Sequence, residues 1–145
     1  MQVSALNRND HDELIILWES SVRATHDFLR EEDIAYLRPL VAKDALPKVE
    51  LYGVKNQHGK ILGFLGTSHT EIEMLFVDPK HFGEGIGTAL LEQATKNMGL
   101  TKVSVNEQNP NALSFYQNRG FVVTSRSELD GQGRPFPILD LTLVR

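Results

Sequence analysis

Three glycines at alternate positions, followed at once by a helical pattern, constrain this chain more than any other stretch of its sequence. They are Gly83, Gly85 and Gly87, and they come after an apolar strand pattern that ends at Val77 and a turn that contains Pro79. Because glycine adopts positive φ easily, alternating glycines let the backbone curl with its N–H groups facing inward. The helix that follows points the positive end of its dipole at the same place. The segment therefore predicts an anion cradle, and the anion that it favours is a pyrophosphate.

Other glycine-rich motifs fit this segment less well. A P-loop has a lysine and then Ser or Thr after its last glycine, whereas Thr88 follows Gly87 directly. The dinucleotide fingerprint has the spacing Gly-x-Gly-x-x-Gly and opens a βαβ unit, whereas these glycines come mid-chain after a hairpin pattern. A purely structural glycine turn is the remaining alternative, and a second motif further along the chain argues against it.

The second motif begins at Asn109 and predicts a helix that carries a Phe-Tyr pair. Asn109 is a favoured N-cap residue, Pro110 suits the first helical position, and Gly120 suits the position beyond the last turn. The aromatic pair is Phe115 and Tyr116. Together the cradle and this helix suggest that the ligand is acetyl-coenzyme A (acetyl-CoA).

The composition excludes several classes of protein and site. The 145 residues are 41% hydrophobic and 23% charged, which suits one compact domain over residues 1–145 with an ordinary core. There is no cysteine, which excludes disulfides, a thiol nucleophile and thiolate metal sites. The five histidines show no metal-ligand spacing, so we predict no metal. A formal net charge of -4 without a basic face argues against nucleic-acid binding.

The sequence also indicates the cellular location of the protein. Its first residues lack the apolar core of a signal peptide, and no stretch reaches the ~20 apolar residues that span a membrane. We therefore expect a cytoplasmic protein with no membrane partner. No exposed apolar helix face identifies an interface between subunits, so a monomer and a homodimer both stay open.

Hydrophobic periodicity predicts elements in the order βααβββαβαββ. The predicted ranges are strand 3–6, helix 10–22, helix 33–40, strands 50–55, 60–67 and 71–77, helix 85–97, strand 102–106, helix 110–119, and strands 121–127 and 138–144. Asn9 is the expected N-cap of the first helix, Pro39 the expected end of the second, and Trp18 a core residue. A helix joins strands 71–77 and 102–106, so we expect this pair to be parallel. The fold class is α/β (α+β), a mixed, mostly antiparallel sheet flanked by helices.

The two motifs and the element order resemble the GNAT superfamily of acyl-CoA-dependent N-acyltransferases over essentially the whole chain. The segment Val77–Leu91 resembles the strand, loop and helix with which that family binds pyrophosphate. The segment Phe115–Phe121 resembles its Phe-Tyr and Gly-Phe signature. Ser21–Leu29 and Asn106–Asn109 are similar to a small group of bacterial proteins described as peptidyl-lysine N-acetyltransferases.

The resemblance implies how acetyl-CoA is held. The pyrophosphate would lie on N–H groups from Gly83 to Thr88, and the pantetheine arm would pair like an extra strand with the backbone of Leu75–Val77. That strand would also supply an N–H group to the thioester carbonyl, and Asn109 would contact the pantetheine arm besides capping its helix. The implied cofactor-binding residues are Leu75, Phe76, Val77, Phe82, Gly83, Glu84, Gly85, Ile86, Gly87, Thr88, Asn109 and Tyr116.

One position departs from the family pattern. The family usually has Arg or Gln immediately before the first loop glycine, where this chain has Phe82. A phenyl ring cannot assist the phosphates as a guanidinium does. We therefore expect weaker cofactor binding, with backbone N–H groups still holding the pyrophosphate and Lys80 or His81 as possible substitutes for the missing cation.

The resemblance also implies catalytic residues. Tyr116 is the candidate general acid, because a phenol with a pKa of roughly 10 can return a proton to the leaving thiolate; a core aromatic beside Phe115 is the alternative. The candidate bases are Glu71 and Glu73, which precede the loop and share one strand face by the two-residue period. The alternative for both carboxylates is solvation or pairing with lysine.

The segment between the first two helices borders the acceptor site in this family. Thr25, His26 and Phe28 are therefore the candidate substrate-binding residues, and His26 is either a base, an acceptor contact or an ordinary loop residue. The predicted function is transfer of acetyl from acetyl-CoA directly to a primary amine, a protein lysine or a small amine, with no covalent enzyme intermediate. The alternatives are a CoA-binding sensor or regulatory module without transferase activity and a nucleotide-binding protein.

Overall fold

The computed structural model describes residues 1–144. Its elements follow the predicted order, once short 3₁₀ and π-helical turns are left aside. The mixed α/β fold with mostly antiparallel strands and flanking helices is therefore confirmed. Two compact units divide after Leu100, and each is described by itself.

The first unit contains an antiparallel sheet of four strands in sequence order. Its elements are β1 (Val3–Ala5), α1 (His11–Thr25), α2 (Glu31–Leu40), β2 (Glu50–Lys55), β3 (Ile61–Thr67), β4 (Ile72–Val77) and α3 (Ile86–Glu92). The turn between β2 and β3 is the predicted hairpin, in which the Asn56 carboxamide oxygen accepts from the N–H groups of His58 and Lys60 at 2.8 and 3.0 Å. Gly59 takes a φ of 82°, as that turn requires.

The second unit contains three strands and one helix. They are β5 (Lys102–Asn106), α4 (Pro110–Gln117), β6 (Phe121–Ser127) and β7 (Ile138–Leu143). The strand β7 lies between β5 and β6 and is antiparallel to both. The turn before β7 is held by Asp130, whose carboxylate accepts from the N–H groups of Gln132 and Arg134, each at 2.9 Å.

The start of the first helix differs from the sequence-based expectation. Asn9 lies in a 3₁₀ turn, Arg8–Asp10, that precedes α1, and Asn7 caps this turn: its side chain accepts from the N–H of Asn9 at 2.8 Å, and Asp10 accepts from the N–H of Asn7 at 2.9 Å. The N-cap of α1 itself is Asp10, which makes no side-chain capping bond. Helix α2 ends at Leu40, one residue after Pro39, which confirms its predicted end, and a π-helical turn, Val41–Ala45, follows it.

The core of the first unit forms where the apolar face of α1 meets the sheet. Trp18 is 4% exposed, which confirms its predicted packing role. The fully or nearly buried members of this cluster are Leu14, Leu17, Trp18, Val22, Ile34, Val41, Leu46, Leu51, Ile61, Phe64 and Met74. Helix α1 packs on β3 and β4, so the core fixes the position of the α1 C-terminus relative to the sheet.

Helix α3 packs on β3 at a point where the strand has no side chain. A Cβ atom added to Gly63 would lie 2.7 Å from Cγ2 of Ile86 and 3.2 Å from both Cδ1 of Leu90 and the carbonyl oxygen of Phe76. Ile86 and Leu90 are buried there. Because Ile86 is the first residue of α3, this contact also sets the place where the glycine loop meets the helix.

We predict that Gly63→Ala lowers the free energy of unfolding by about 1–3 kcal/mol, since the new methyl group has no room beneath α3. Urea denaturation followed by circular dichroism measures the change. Gly131→Ala is the matched control, because an added Cβ there meets nothing within 4 Å. A Gly63→Ala protein as stable as the control would contradict the packing described here.

Candidate functional site

The chain leaves β4 through a turn that is tied to β3. The Asp78 N–H donates to the Leu62 carbonyl at 2.8 Å, and Asp78 Oδ1 accepts from the Lys80 N–H at 3.0 Å. The Lys60 ammonium lies 3.7 Å from Asp78 Oδ2. The entry to the glycine loop is therefore anchored by main-chain and side-chain bonds.

The loop itself depends on two glycines in the left-handed region. Gly83 has a φ of 80° and Gly85 a φ of 84°, and an added Cβ at either position would meet nothing within 4 Å. The backbone angle, not crowding, therefore requires glycine at these two positions, and the surface over them is open. Gly87 is different, because it lies in the first turn of α3 and its φ is not positive.

The N–H groups in the first turn of α3 have no carbonyl acceptor within the helix. The first bond within the helix runs from the Ala89 N–H to the Gly85 carbonyl at 3.0 Å. The N–H groups before it, beginning with Ile86 and Gly87, have no acceptor inside the helix. Helix α3 continues into a π-helical turn, Gln93–Asn97, so its aligned dipoles extend over the predicted length.

The side chains around the loop have mixed charge. Phe82 is 47% exposed, and Nδ1 of His81 lies 3.1 Å from both carboxylate oxygens of Glu84. His81 is therefore engaged by Glu84 and is a poor substitute for the family's cation. Lys80 is exposed and makes no ion pair within residues 1–144.

The strand β4 holds the predicted pantetheine-binding residues in a regular ladder with β3. Leu75, Phe76 and Val77 are half-buried, and their Cα partners are Leu65, Phe64 and Gly63. The rings of Phe64 and Phe76 lie 5.7 Å apart. The backbone at this end of β4 is thus held rigidly by its neighbour.

The start of β4 is less regular, and the two-residue period from which a shared face for the two glutamates was predicted is interrupted there. The register shifts between Gly66 and Thr67, which leaves Glu73 without a Cα partner in β3. Glu71 lies outside the strand, in a turn where its N–H donates to the Ser68 hydroxyl at 3.2 Å. The two-residue period does not apply across an irregularity, so a shared face for Glu71 and Glu73 no longer follows.

The predicted acceptor segment forms one connected cluster at the end of α1. The Thr25 hydroxyl lies 2.8 Å from the Ser21 carbonyl oxygen and 2.7 Å from Nδ1 of His26. The His26 ring lies 5.2 Å from the Phe28 ring. Burial lowers the pKa of His26, and the Asp27 carboxylate opposes that effect.

A network of ion pairs lies beside this cluster, and the sequence analysis did not predict it. Glu19 accepts from Arg23 at 2.9 Å and from Arg38 at 2.6 Å, and Arg23 also donates to Glu31 at 2.9 Å. The pKa of Glu19 is lowered, chiefly by its hydrogen bond with Arg23. The network joins α1 to α2 across the segment that carries His26. The four-residue spacing of Glu19 and Arg23 was the available signal in the sequence.

The second unit positions the two remaining candidates on α4. Asn109 is 8% exposed, and its carboxamide oxygen accepts from the Ala112 N–H at 3.2 Å, so its capping role is confirmed. Tyr116 is 5% exposed and lies between the rings of Phe115 and Phe121, with centroids 5.1 and 5.4 Å away. Burial raises the pKa of the Tyr116 phenol.

Two kinds of feature are absent from residues 1–144. No group of three or more His, Cys, Asp or Glu side chains is placed to hold a metal ion. None of the helices in this part of the chain combines the length and apolar character of a membrane span.

Comparison with known proteins identifies the family. A model of the acetyltransferase (GNAT) domain matches residues 36–137. The peptidyl-lysine N-acetyltransferase YjaB of Salmonella typhimurium is 43% identical over 140 residues, which cover 94% of this chain and 95% of that protein. YjaB of Escherichia coli is 39% identical over 145 residues, which cover 98% of each chain.

Solved structures agree with this comparison. The solution structure of the apo form of YjaB from Escherichia coli has a TM-score of 0.89 and 38% identity, and covers 99% of each chain. The PaiA N-acetyltransferase of Thermoplasma acidophilum, crystallised with coenzyme A, has a TM-score of 0.74 at 23% identity, over 97% of this chain and 98% of that one. The second likeness concerns the fold alone. The chain therefore belongs to the GNAT family of N-acetyltransferases, as its two motifs predicted.

Proposed function

We propose that this protein transfers the acetyl group of acetyl-CoA directly to a primary amine, with a protein lysine as the acceptor. The observation that carries the proposal is the loop of two left-handed glycines, Gly83 and Gly85, at the start of α3 in a chain of this family. The names of the YjaB relatives support lysine as the acceptor. We infer a cytoplasmic enzyme, active as a monomer or a homodimer.

Main-chain N–H groups are the proposed anchors of the pyrophosphate. The proposed anchors run from Gly83 to Thr88, and the open space over the Cβ positions of Gly83 and Gly85 supports access to this part of the loop. Lys80 adds a nearby positive charge, whereas Glu84 adds a negative charge that His81 offsets only when the imidazole is protonated. With Phe82 in place of a cation, binding relies mainly on the backbone, which accounts for the weaker affinity that we expect.

The thioester would be polarised by the β4 backbone. An N–H group among Leu75–Val77 would donate to the carbonyl oxygen, and this bond strengthens as negative charge develops on that oxygen. The ladder with β3 keeps the donor in place before reaction, so no reorganisation is needed. Acyl transfer then requires a neutral amine and a proton for the departing thiolate.

Tyr116 is the proposed source of that proton. Because burial raises its pKa, the phenol stays protonated throughout the neutral and mildly alkaline range and always has a proton to give. The same shift makes the phenol a weaker acid than it is in water, so proton return depends on the departing thiolate being held close to the Tyr116 hydroxyl as the C–S bond breaks. The packing of Tyr116 between Phe115 and Phe121 limits the motion of the ring.

The first experiment tests the reaction itself. Acetyl-CoA is mixed with a lysine peptide, a peptide with a free N-terminus or a polyamine, and release of the CoA thiol is followed. We expect release with the lysine peptide. Tight binding of acetyl-CoA without thiol release from any amine would instead support the rival function, a CoA-binding sensor.

We predict that Gly85→Ala raises the Kd for acetyl-CoA at least tenfold, because alanine at a φ of 84° is strained and shifts the loop amides. Isothermal titration calorimetry measures the Kd. Gly99→Ala is the matched control, since Gly99 has a φ of 70° and equal free space but lies at the other end of the helix. Equal loss of affinity in both variants would show that strain alone, and not the loop, is responsible.

We predict that Tyr116→Phe lowers kcat about 10²-fold and leaves the Kd for acetyl-CoA unchanged, because only proton return is lost. Steady-state thiol release at saturating substrate gives kcat. Tyr52→Phe removes a phenol outside the proposed site and is expected to keep kcat within twofold. An active Tyr116→Phe enzyme would limit Tyr116 to core packing.

A further inference from the structure

The hydrogen bonds at the end of α1 favour one tautomer of the His26 ring. The Thr25 hydroxyl has a single proton, and the Ser21 carbonyl oxygen lies 2.8 Å away as an acceptor for it. While the hydroxyl donates to Ser21, its oxygen can only accept from Nδ1 of His26, 2.7 Å away. In this arrangement a neutral His26 ring carries its proton on Nδ1.

The other ring nitrogen is then a lone-pair base. With Nδ1 protonated, Nε2 of the neutral imidazole has no proton, and it forms no hydrogen bond within residues 1–144. The ring is half-buried and lies against Phe28, so it keeps one accessible edge while its orientation is restrained. This combination of a fixed ring and a free nitrogen is what proton abstraction requires.

The charges at this helix end leave the ring neutral near pH 7. Burial lowers the pKa of His26, and Asp27 is the charge that opposes it. The neighbouring cations have carboxylates of their own. Arg23 is paired with Glu19 and Glu31, and Arg30 lies 2.9 Å from Glu32 and 3.8 Å from Asp33.

We propose that Nε2 of His26 is the general base that takes a proton from the acceptor amine, with Thr25 as the residue that positions it. This inference rests on the proposed acetyltransferase function and names the base that sequence analysis left open. Glu73 is exposed and Glu71 lies outside β4.

The proton balance is complete without a further reagent. The substrate ammonium passes one proton to Nε2, and the neutral nitrogen bonds to the thioester carbon. The C–S bond breaks, and the sulfur takes the proton of the Tyr116 hydroxyl. The substrate nitrogen then loses its second proton to solvent, and solvent returns a proton to the Tyr116 phenolate. The products are the amide, the CoA thiol and one proton, which leaves His26 for water.

The tautomer can be observed directly. Long-range proton–nitrogen NMR correlations of the wild-type protein are expected to show the proton of His26 on Nδ1. In Thr25→Val the hydroxyl oxygen that accepts from Nδ1–H is lost, and the ring should return to the Nε2–H form that is usual in solution. Thr25→Ser keeps the hydroxyl and should keep the Nδ1–H form. A wild-type ring with its proton on Nε2 would overturn the proposal.

The kinetic test compares the same residues. His26→Gln is expected to lower kcat/KM about 10²-fold with an unchanged Kd for acetyl-CoA. Thr25→Val should lower kcat/KM less, and Thr25→Ser should restore it. His58→Gln, in the exposed hairpin turn, is the control and should match the wild type.

The pH profile separates a base from a mere contact. Because the pKa of His26 is lowered from 6.5, wild-type kcat/KM should rise on the acid side with an apparent pKa below 6.5 and level off above it. His26→Gln should lack that limb. A wild-type profile and rate in His26→Gln would overturn the inference while leaving the function intact, whereas a wild-type protein that acetylates no amine would overturn the function itself. Should His26→Gln fail to fold, the comparison of Thr25→Val with Thr25→Ser decides the question, through kcat/KM and its pH profile.

Discussion

The contact between α3 and β3 at Gly63 governs the arrangement of the first unit's candidate site. Because the strand has no side chain there, Ile86 and Leu90 lie directly on the sheet, and the first turn of α3 is fixed where the chain enters it. On the other side of the loop, Asp78 is bound to β3 through Leu62. Both ends of the glycine loop are therefore held by one strand, and the space over Gly83 and Gly85 is open.

In the proposed site the loop would bind the pyrophosphate through its backbone, with little help from side chains. Phe82 replaces the cation that is usual before the first glycine, and Glu84 places a carboxylate beside the cradle. Such a site gains most of its affinity from preorganised N–H groups, which cost little to orient. A similar principle holds in the segment proposed to border the acceptor amine, where Thr25 and the ion pairs of Arg23 restrain His26.

Much of the fold could be predicted because its signals are local. The bounds of β2, β5 and β6, the Asn109 cap and the positive φ of Gly83 and Gly85 all follow from periodicity or from single-residue preferences. The start of the first helix differed from its local signal. Asn9 was expected to cap it, but Asn7 caps a 3₁₀ turn that precedes α1.

The amino-acid sequence by itself determined the order of the elements, the glycine loop and the family, because each depends on residue types at short spacing. Only the tertiary structure decided the register shift at Glu73, the ion pair between Arg38 and Glu19, and the fit of α3 over Gly63. It also decided that His81 is engaged by Glu84 and that the Thr25 hydroxyl binds both Ser21 and His26. These features depend on distances and directions between atoms, which packing sets and which no pattern of residue types encodes.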